Sequence, residues 1–245
     1  MATGVPAISF RQGDHVCLFY REPQEQMDVA APFVQIGLLR GERCLCVLNA
    51  AQTEFLCQSL ASRGMDAAHE ISRGALLLAT PQEAYLRGGR FDRDEMMKLL
   101  DDGMREALAM GFTGFRGTGD LSWAAHDTHA CGRMPEYEEA LDKYYPGQAA
   151  LGICMYDQRM FSPTQRETLQ RAHRLAILSS SDDKRLVRIR KGKLFGDVVF
   201  DRDSEASLFH FVVQRENSAD VLLSGQESTL TGAIGAVENA LRMVV

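Results

Sequence analysis

Short apolar strands alternate with helical patterns through residues 14–178, and the opening unit limits the fold most sharply. His15-Val-Cys-Leu-Phe-Tyr20 reads as a strand and Arg21-Glu-Pro-Gln-Glu-Gln26 as a loop. A helical pattern over 23–40 ends in Gly37-Leu-Leu-Arg-Gly-Glu42, and Arg43-Cys-Leu-Cys-Val-Leu48 reads as the next strand. Many nucleotide-binding α/β domains open this way. Their loop is glycine-rich and carries a lysine, so that backbone N–H groups and one cation hold phosphates. Here the loop has two carboxylates, a proline and no glycine. The shape of a phosphate-binding turn is present without its chemistry, which points to sensing rather than nucleoside triphosphate hydrolysis. No nucleotide cofactor is expected.

The alternation continues along the chain. A helix is predicted over 51–63 and a strand over 75–80. Asp92 caps a helix over about 93–110 that Gly111 closes. A strand over 112–118, a helix over 134–145 and a strand over 149–156 follow. Ser162-Pro163 then caps a helix running to about 178. Such an order implies an α/β fold with a mostly parallel sheet and helices on both faces. Ligands of such sheets bind beyond the carboxyl ends of the strands.

The pattern changes at the polar break Ser179-Ser-Ser-Asp-Asp183. Strands are predicted near 186–191, 195–201, 207–214 and 219–224. A helix over about 228–243 carries Ala233, Ile234, Val237, Ala240, Leu241 and Val244 at helical spacing. Two domains are therefore expected: 1–178, and a small β-rich α+β module over 179–245 that is either separate or an extension of the main sheet.

Composition removes several function classes. The chain has 245 residues and a formal net charge of −6. Direct nucleic-acid binding is not expected, because neutralising phosphates needs clustered Lys and Arg. The basic run Lys184-Arg-Leu-Val-Arg-Ile-Arg-Lys-Gly-Lys193 reads as a solvated strand face, with a partner contact as the alternative. No apolar run reaches the roughly 18 residues that span a bilayer. The N-terminus Met-Ala-Thr-Gly-Val-Pro lacks a signal-peptide pattern, so a cytoplasmic protein with no membrane partner is expected. The six cysteines show no CxxC pairing and read as reduced, mostly buried residues.

The main domain resembles the MEDS family, a sensory domain named for methanogen, methylotroph and dichloromethane-repressor proteins. The resemblance covers residues 10–178. It rests on His15–Tyr20, Gly37–Glu42, Gly89-Arg-Phe-Asp92, Phe115-Arg116 with Gly119-Asp-Leu-Ser-Trp123, Tyr137-Glu138, and Cys154-Met-Tyr-Asp157 with Phe161-Ser162, in that order. It implies a RecA/KaiC-like core without the nucleotide-binding motifs. It also implies a regulator that binds a small organic ligand, often a hydrocarbon derivative. Members commonly adjoin a DNA-binding or histidine-kinase module. Neither is recognisable here, so the expected partner is a regulatory protein, a kinase or a transcription regulator. By analogy with RecA-like cores, which often assemble, a homo-oligomer is a further expectation.

The expected ligand-binding residues are His15, Cys17, Tyr20, Arg116, Trp123, Glu138 and Tyr156. His15 and Cys17 share one strand face and either contact a ligand or metal or simply pack. Trp123, the one tryptophan, follows a strand and either walls an apolar pocket with Phe19, Tyr20 and Tyr156 or packs in the core. The resemblance implies a polar pocket role for Glu138, and a solvated helix face is the plain alternative. Arg116 either binds a carboxylate, pairs with Glu138, or forms a structural ion pair. Asp120 and Asp157 follow strands, but no lysine or metal site pairs with them as acid–base groups, so no catalytic residues are assigned.

Two alternatives to the organic-ligand sensor stay open. His126, His129 and Cys131 are competent metal ligands in spacing that matches no standard structural zinc pattern. They would make a metal- or thiol-dependent redox sensor, with His15, Cys17 or Cys154 as a fourth ligand. The other alternative is residual nucleotide binding of an ATPase-like kind.

Overall fold

The computed structural model describes residues 10–179, 185–200, 209–216, 218 and 221–243. Strands β1 (His15–Tyr20), β2 (Arg43–Val47), β3 (Leu76–Ala79), β4 (Phe115–Asp120), β5 (Ala150–Asp157) and β6 (Leu175–Ser179) are joined by helices. These are α1 (Pro23–Leu39), α2 (Ala50–Ala61), α3 (Ala67–Ser72), α4 (Arg93–Ala109), α5 (Thr128–Tyr144) and α6 (Pro163–Arg171). Strands β7 (Arg185–Lys191), β8 (Leu194–Phe200), β9 (Phe209–Arg215) and β10 (Val221–Glu227) precede α7 (Leu230–Met243).

The strands form a single sheet in the order β10-β9-β8-β7-β6-β1-β5-β4-β2-β3. The six strands from β6 to β3 are parallel. The remaining pairings are antiparallel. The C-terminal strands thus continue the main sheet through β6. Strands β1, β4 and β5 lie at the centre of the parallel half and are buried along their whole length; β1 and β5 accordingly read as mostly apolar runs, whereas β4 buries Arg116, Thr118 and Asp120.

Alternation along β1 sorts side chains between two cores. Val16, Leu18 and Tyr20 face α1 and α2, together with Ile153 and Met155. Cys17 and Phe19 face α4, α5 and α6, together with Cys154 and Tyr156. Helix α7 covers β8 and β9 on the α1 side through Ala233, Val237 and Leu241. Caps follow the local sequence: Asp92 accepts from the N–H groups of Asp94 and Glu95, and Ser162 forms a capping box with Gln165 ahead of Pro163.

The predicted helix to 178 ends instead at Arg171, and Leu175–Ser179 is a strand between β1 and β7. Its run Leu-Ala-Ile-Leu fits a buried strand or a buried helix equally, and periodicity alone does not separate them. The open slot beside β1 decides. Helix α5 begins at Thr128 rather than 134, because Asp127 caps it with bonds from the N–H groups of His129 and Ala130. Pro135 is tolerated inside it. Residues 180–184, 201–208 and 244–245, which hold most of the predicted polar break, Lys184, the end of the 195–201 strand, the start of the 207–214 strand and Val244, lie outside the described residues, as does the N-terminal hexapeptide. Among the described residues no helix is long and apolar enough to cross a membrane.

Candidate functional site

The carboxyl ends of β1, β4 and β5 place Tyr20, Asp120 and Asp157 at the mouth of one crevice. Its volume is about 510 Å³, within the roughly 300–1,000 Å³ of small-molecule sites. The floor is polar. Asp120 Oδ2 accepts from Gln26 Nε2 at 2.8 Å and also from the Tyr20 hydroxyl and Gln52 Nε2. Asp120 Oδ1 accepts from the Ser122 N–H at 2.7 Å. Gln52 is aimed by the α2 capping box, in which its side-chain oxygen accepts from the Asn49 N–H at 3.0 Å. The Ser122 hydroxyl in turn accepts from the Asp157 N–H at 2.7 Å.

Four donors thus surround the Asp120 carboxylate and occupy its two oxygens. Burial and then the Asp120 charge push the Tyr20 phenol far above its ordinary value, so it stays a donor. Asp157 binds the Arg159 guanidinium through both oxygens, at 2.9 and 2.7 Å. The rest of the wall is apolar: Pro23, Phe55, Pro81, Trp123 and Met160. Trp123 packs against Tyr85 and Phe91, and its indole N–H is buried without a partner.

The first loop is filled by the chain itself. Glu25 Oε2 accepts from the backbone N–H of Arg21 at 2.7 Å and of Glu22 at 3.3 Å. A carboxylate therefore occupies the helix N-terminus, where a phosphate-binding turn would hold its anion.

A second cluster is buried between the sheet and α5, toward the opposite end of β1. Glu138 Oε2 lies 3.1 Å from His15 Nε2 and 3.0 Å from His173 Nε2. Its Oε1 accepts from the Tyr156 hydroxyl. The Cys154 thiol is 3.5 Å from His15 Nε2. The two imidazoles stack with centroids 4.2 Å apart, and Tyr145 also stacks on His15 with centroids 5.5 Å apart. Gly152 makes room for Tyr145, since a Cβ there would lie 2.3 Å from its hydroxyl. Burial would raise the Glu138 carboxyl, but His173 and His15 outweigh it and hold the group well below the carboxylate range. Burial, then the Glu138 charge, pushes the Cys154 thiol well up.

The seven expected ligand residues therefore separate. Tyr20 and Trp123 line the crevice, whereas His15, Glu138 and Tyr156 belong to the interior cluster. Cys17 lies beside Cys154 in register on the same sheet face. Arg116 is 1% exposed. It pairs with Glu42, not Glu138: its Nε donates to Glu42 Oε2 at 2.6 Å and its Nη1 to the Phe33 carbonyl at 2.8 Å. Gly37 lets this guanidinium lie against α1, because a Cβ there would sit 2.7 Å from Nε. His126 and His129 are exposed, and the Cys131 sulfur accepts from Gln165 Nε2 at 3.1 Å. Among the described residues, the His/Cys/carboxylate donors that converge within 4.8 Å are His15, Glu138, Cys154 and His173, so His126, His129 and Cys131 are not brought together as a metal set.

A family model described as MEDS, the methanogen/methylotroph, DcmR sensory domain, matches residues 14–174. The chain belongs to the MEDS family. The transcriptional repressor DcmR of Methylorubrum extorquens is 25% identical over 166 residues, covering 65% of this chain and 58% of the repressor. The chain therefore spans less than two thirds of that relative's length. In fold alone, an uncharacterized protein from Pyrococcus horikoshii in complex with an unknown peptide is similar, with a TM-score of 0.51 and 10% identity over 85% of this chain and 94% of that one. A KaiC-like protein from Pyrococcus horikoshii OT3 aligns with a TM-score of 0.49 and 15% identity, over 82% and 94% of the two chains. The role is accordingly sensory or regulatory.

The MEDS segment contains both the crevice and the interior cluster. Sequence reasoning missed Gln26, Gln52 and Arg159 in the crevice and His173 and Asp142 in the cluster. Ser122 stood in a quoted segment without an assigned role. The Asn49-x-x-Gln52 capping box was a readable signal for where Gln52 sits. His173 had none, because its neighbourhood read as helix.

Proposed function

We propose that this MEDS protein binds a small amphipathic organic molecule in the crevice at the ends of β1, β4 and β5 and signals to a regulatory protein partner. The crevice itself is the observation that carries this reading: an apolar wall around Trp123 faces a polar floor whose donors and acceptors are already oriented. Such a site takes a ligand with an apolar body and one hydrogen-bonding end. The self-filled turn at Glu25 favours an organic ligand over a nucleotide, since an incoming phosphate would have to displace a carboxylate and meet the Glu22 charge. The repressor DcmR supports an output in transcriptional control. The acidic balance of this chain favours reaching it through a protein partner, a kinase or transcription regulator. Strand β6 pairs with both β1 and β7 and offers a direct route from the crevice strand to the C-terminal strands.

The protein carries a single tryptophan, so Trp123 reports on the crevice directly. Thermal shift and tryptophan fluorescence are followed with short alcohols, halogenated hydrocarbons, esters and Mg-ATP. An organic ligand at 100 times its Kd should stabilise the fold by about 2.7 kcal/mol and change Trp123 emission, with Mg-ATP silent. Stabilisation by Mg-ATP, or by organics with no change at Trp123, would overturn the assignment.

A further inference from the structure

We propose that His15, Glu138, Cys154 and His173 form a buried, four-ligand site for a divalent transition metal, with zinc as the best fit. The site is separate from the crevice and from the exposed His126 and His129. Its donors come from the first residue of β1, from α5, from mid-β5 and from the turn before β6, and all four are buried.

The donor spacing is close to that of a coordination sphere. Zinc bonds of about 2.0–2.1 Å to nitrogen and oxygen and about 2.3 Å to sulfur set tetrahedral N···O edges near 3.4 Å and N···S edges near 3.6 Å. Three of the edges here are 3.0, 3.1 and 3.5 Å, and all four donors lie within 4.8 Å of one another.

The remote ring nitrogens point the same way. His173 Nδ1 lies 2.8 Å from the Leu169 carbonyl, which can only accept, so Nδ1 carries the proton. His15 Nδ1 is buried without a hydrogen bond, and its nearest carboxylate oxygen, Asp142 Oδ1, is 3.6 Å away. Carbonyl and carboxylate partners on the far nitrogen are the usual support of metal-bound histidines. In a neutral His173 ring the Nε2 lone pair then faces Glu138 Oε2, whose other oxygen is taken by Tyr156. Glu138 Oε2 and His173 Nε2 are buried without a directed hydrogen bond.

A positive charge among these atoms would satisfy the His173 lone pair and the Glu138 oxygen together. Protonating both rings would stack two imidazolium cations with centroids 4.2 Å apart in the interior. A dication avoids that repulsion, and with one carboxylate and one thiolate its site is neutral. Two nitrogens, one oxygen and one sulfur suit zinc, and with four protein ligands and no exposed donor the ion is structural. It would tie β1, β5, α5 and the β6 entry together.

The test is elemental analysis of the full chain purified without chelator, followed by Co(II) titration of the metal-free protein. The expected result is about one zinc per chain. Co(II) should add a thiolate-to-cobalt absorption that Cys154→Ser abolishes, and chelation should lower the thermal midpoint. His173→Gln should lose the metal, and Asp142→Asn should weaken affinity by about 10–100-fold. Circular dichroism confirms that each variant is folded, and the folded Asp142→Asn protein tests the site if ligand variants do not fold. A metal-free protein with no cobalt band and no chelator effect overturns the proposal and leaves a proton-only His–Glu–His network. Metal retained at full stoichiometry in folded Cys154→Ser and His173→Gln overturns it as well, by placing the ion elsewhere.

Discussion

Replacing Glu42 by Ala strips the carboxylate from the buried Arg116 guanidinium. Glu42 is 2% exposed and Arg116 1%. After the change, Arg116 keeps only the Phe33 carbonyl and the face of the Phe33 ring, 4.5 Å from its Cζ. Gln12 Nε2 also loses its bond to Glu42 Oε1. A buried charge left without its partner costs about 3–5 kcal/mol. For a chain of this size each kcal/mol moves Tm by about 2–4 °C, so a fall of about 6–20 °C is expected. The double variant Glu42→Leu/Arg116→Met removes both charges and should recover most of the loss, because a well-packed apolar pair is often neutral beside an ion pair. Urea unfolding of the two single variants and the double variant measures the coupling. If Glu42→Ala costs less than about 1 kcal/mol, or the two single effects simply add, the pair does not act as a buried ion pair. If instead the stable double variant loses its response to ligand, Arg116 belongs to the binding machinery and its placement as a structural group is wrong.

The other expectations concern packing, the crevice and the first loop. Gly152→Ala drives a Cβ to 2.3 Å from the Tyr145 hydroxyl and should cost about 1–3 kcal/mol; an unchanged urea midpoint would count against the close approach. Asp120→Ala leaves Gln26, Gln52 and Tyr20 without their shared acceptor, at about 1–3 kcal/mol for each buried group left unsatisfied, and should abolish ligand-dependent stabilisation in calorimetry. Glu25→Ala uncaps α1 at about 1 kcal/mol, while calorimetry with Mg-ATP should stay flat; measurable nucleotide binding in that variant would show that the carboxylate alone had been excluding phosphate.

Much of the fold was legible before any tertiary information. The β1–α1–β2 unit, the Asp92 cap, the Ser162-Pro163 start and the parallel arrangement all follow from local pattern and capping chemistry. The crevice was legible in part: Tyr20 ends a predicted strand and Trp123, Asp120 and Asp157 follow others, and strand ends are where such sheets bind ligands. Strand β6 was not legible, because four apolar residues carry no period of their own. Glu138 looked like one more helix glutamate among several, and nothing local distinguishes the one that faces the sheet.

Local chemistry in the sequence therefore determined the α/β class, the element order and the loss of a phosphate-binding turn, since caps, breakers and apolar period act within a few residues. Tertiary structure decided the rest. It turned Leu175–Ser179 into a strand, sent Arg116 to Glu42, and brought together donors at positions 15, 138, 154 and 173. Those outcomes depend on strand registers, β1 against β5 and β6 and β2 against β4, and on the faces that α1 and α5 present to the sheet. Both are set by burial across the whole core, which no short segment encodes.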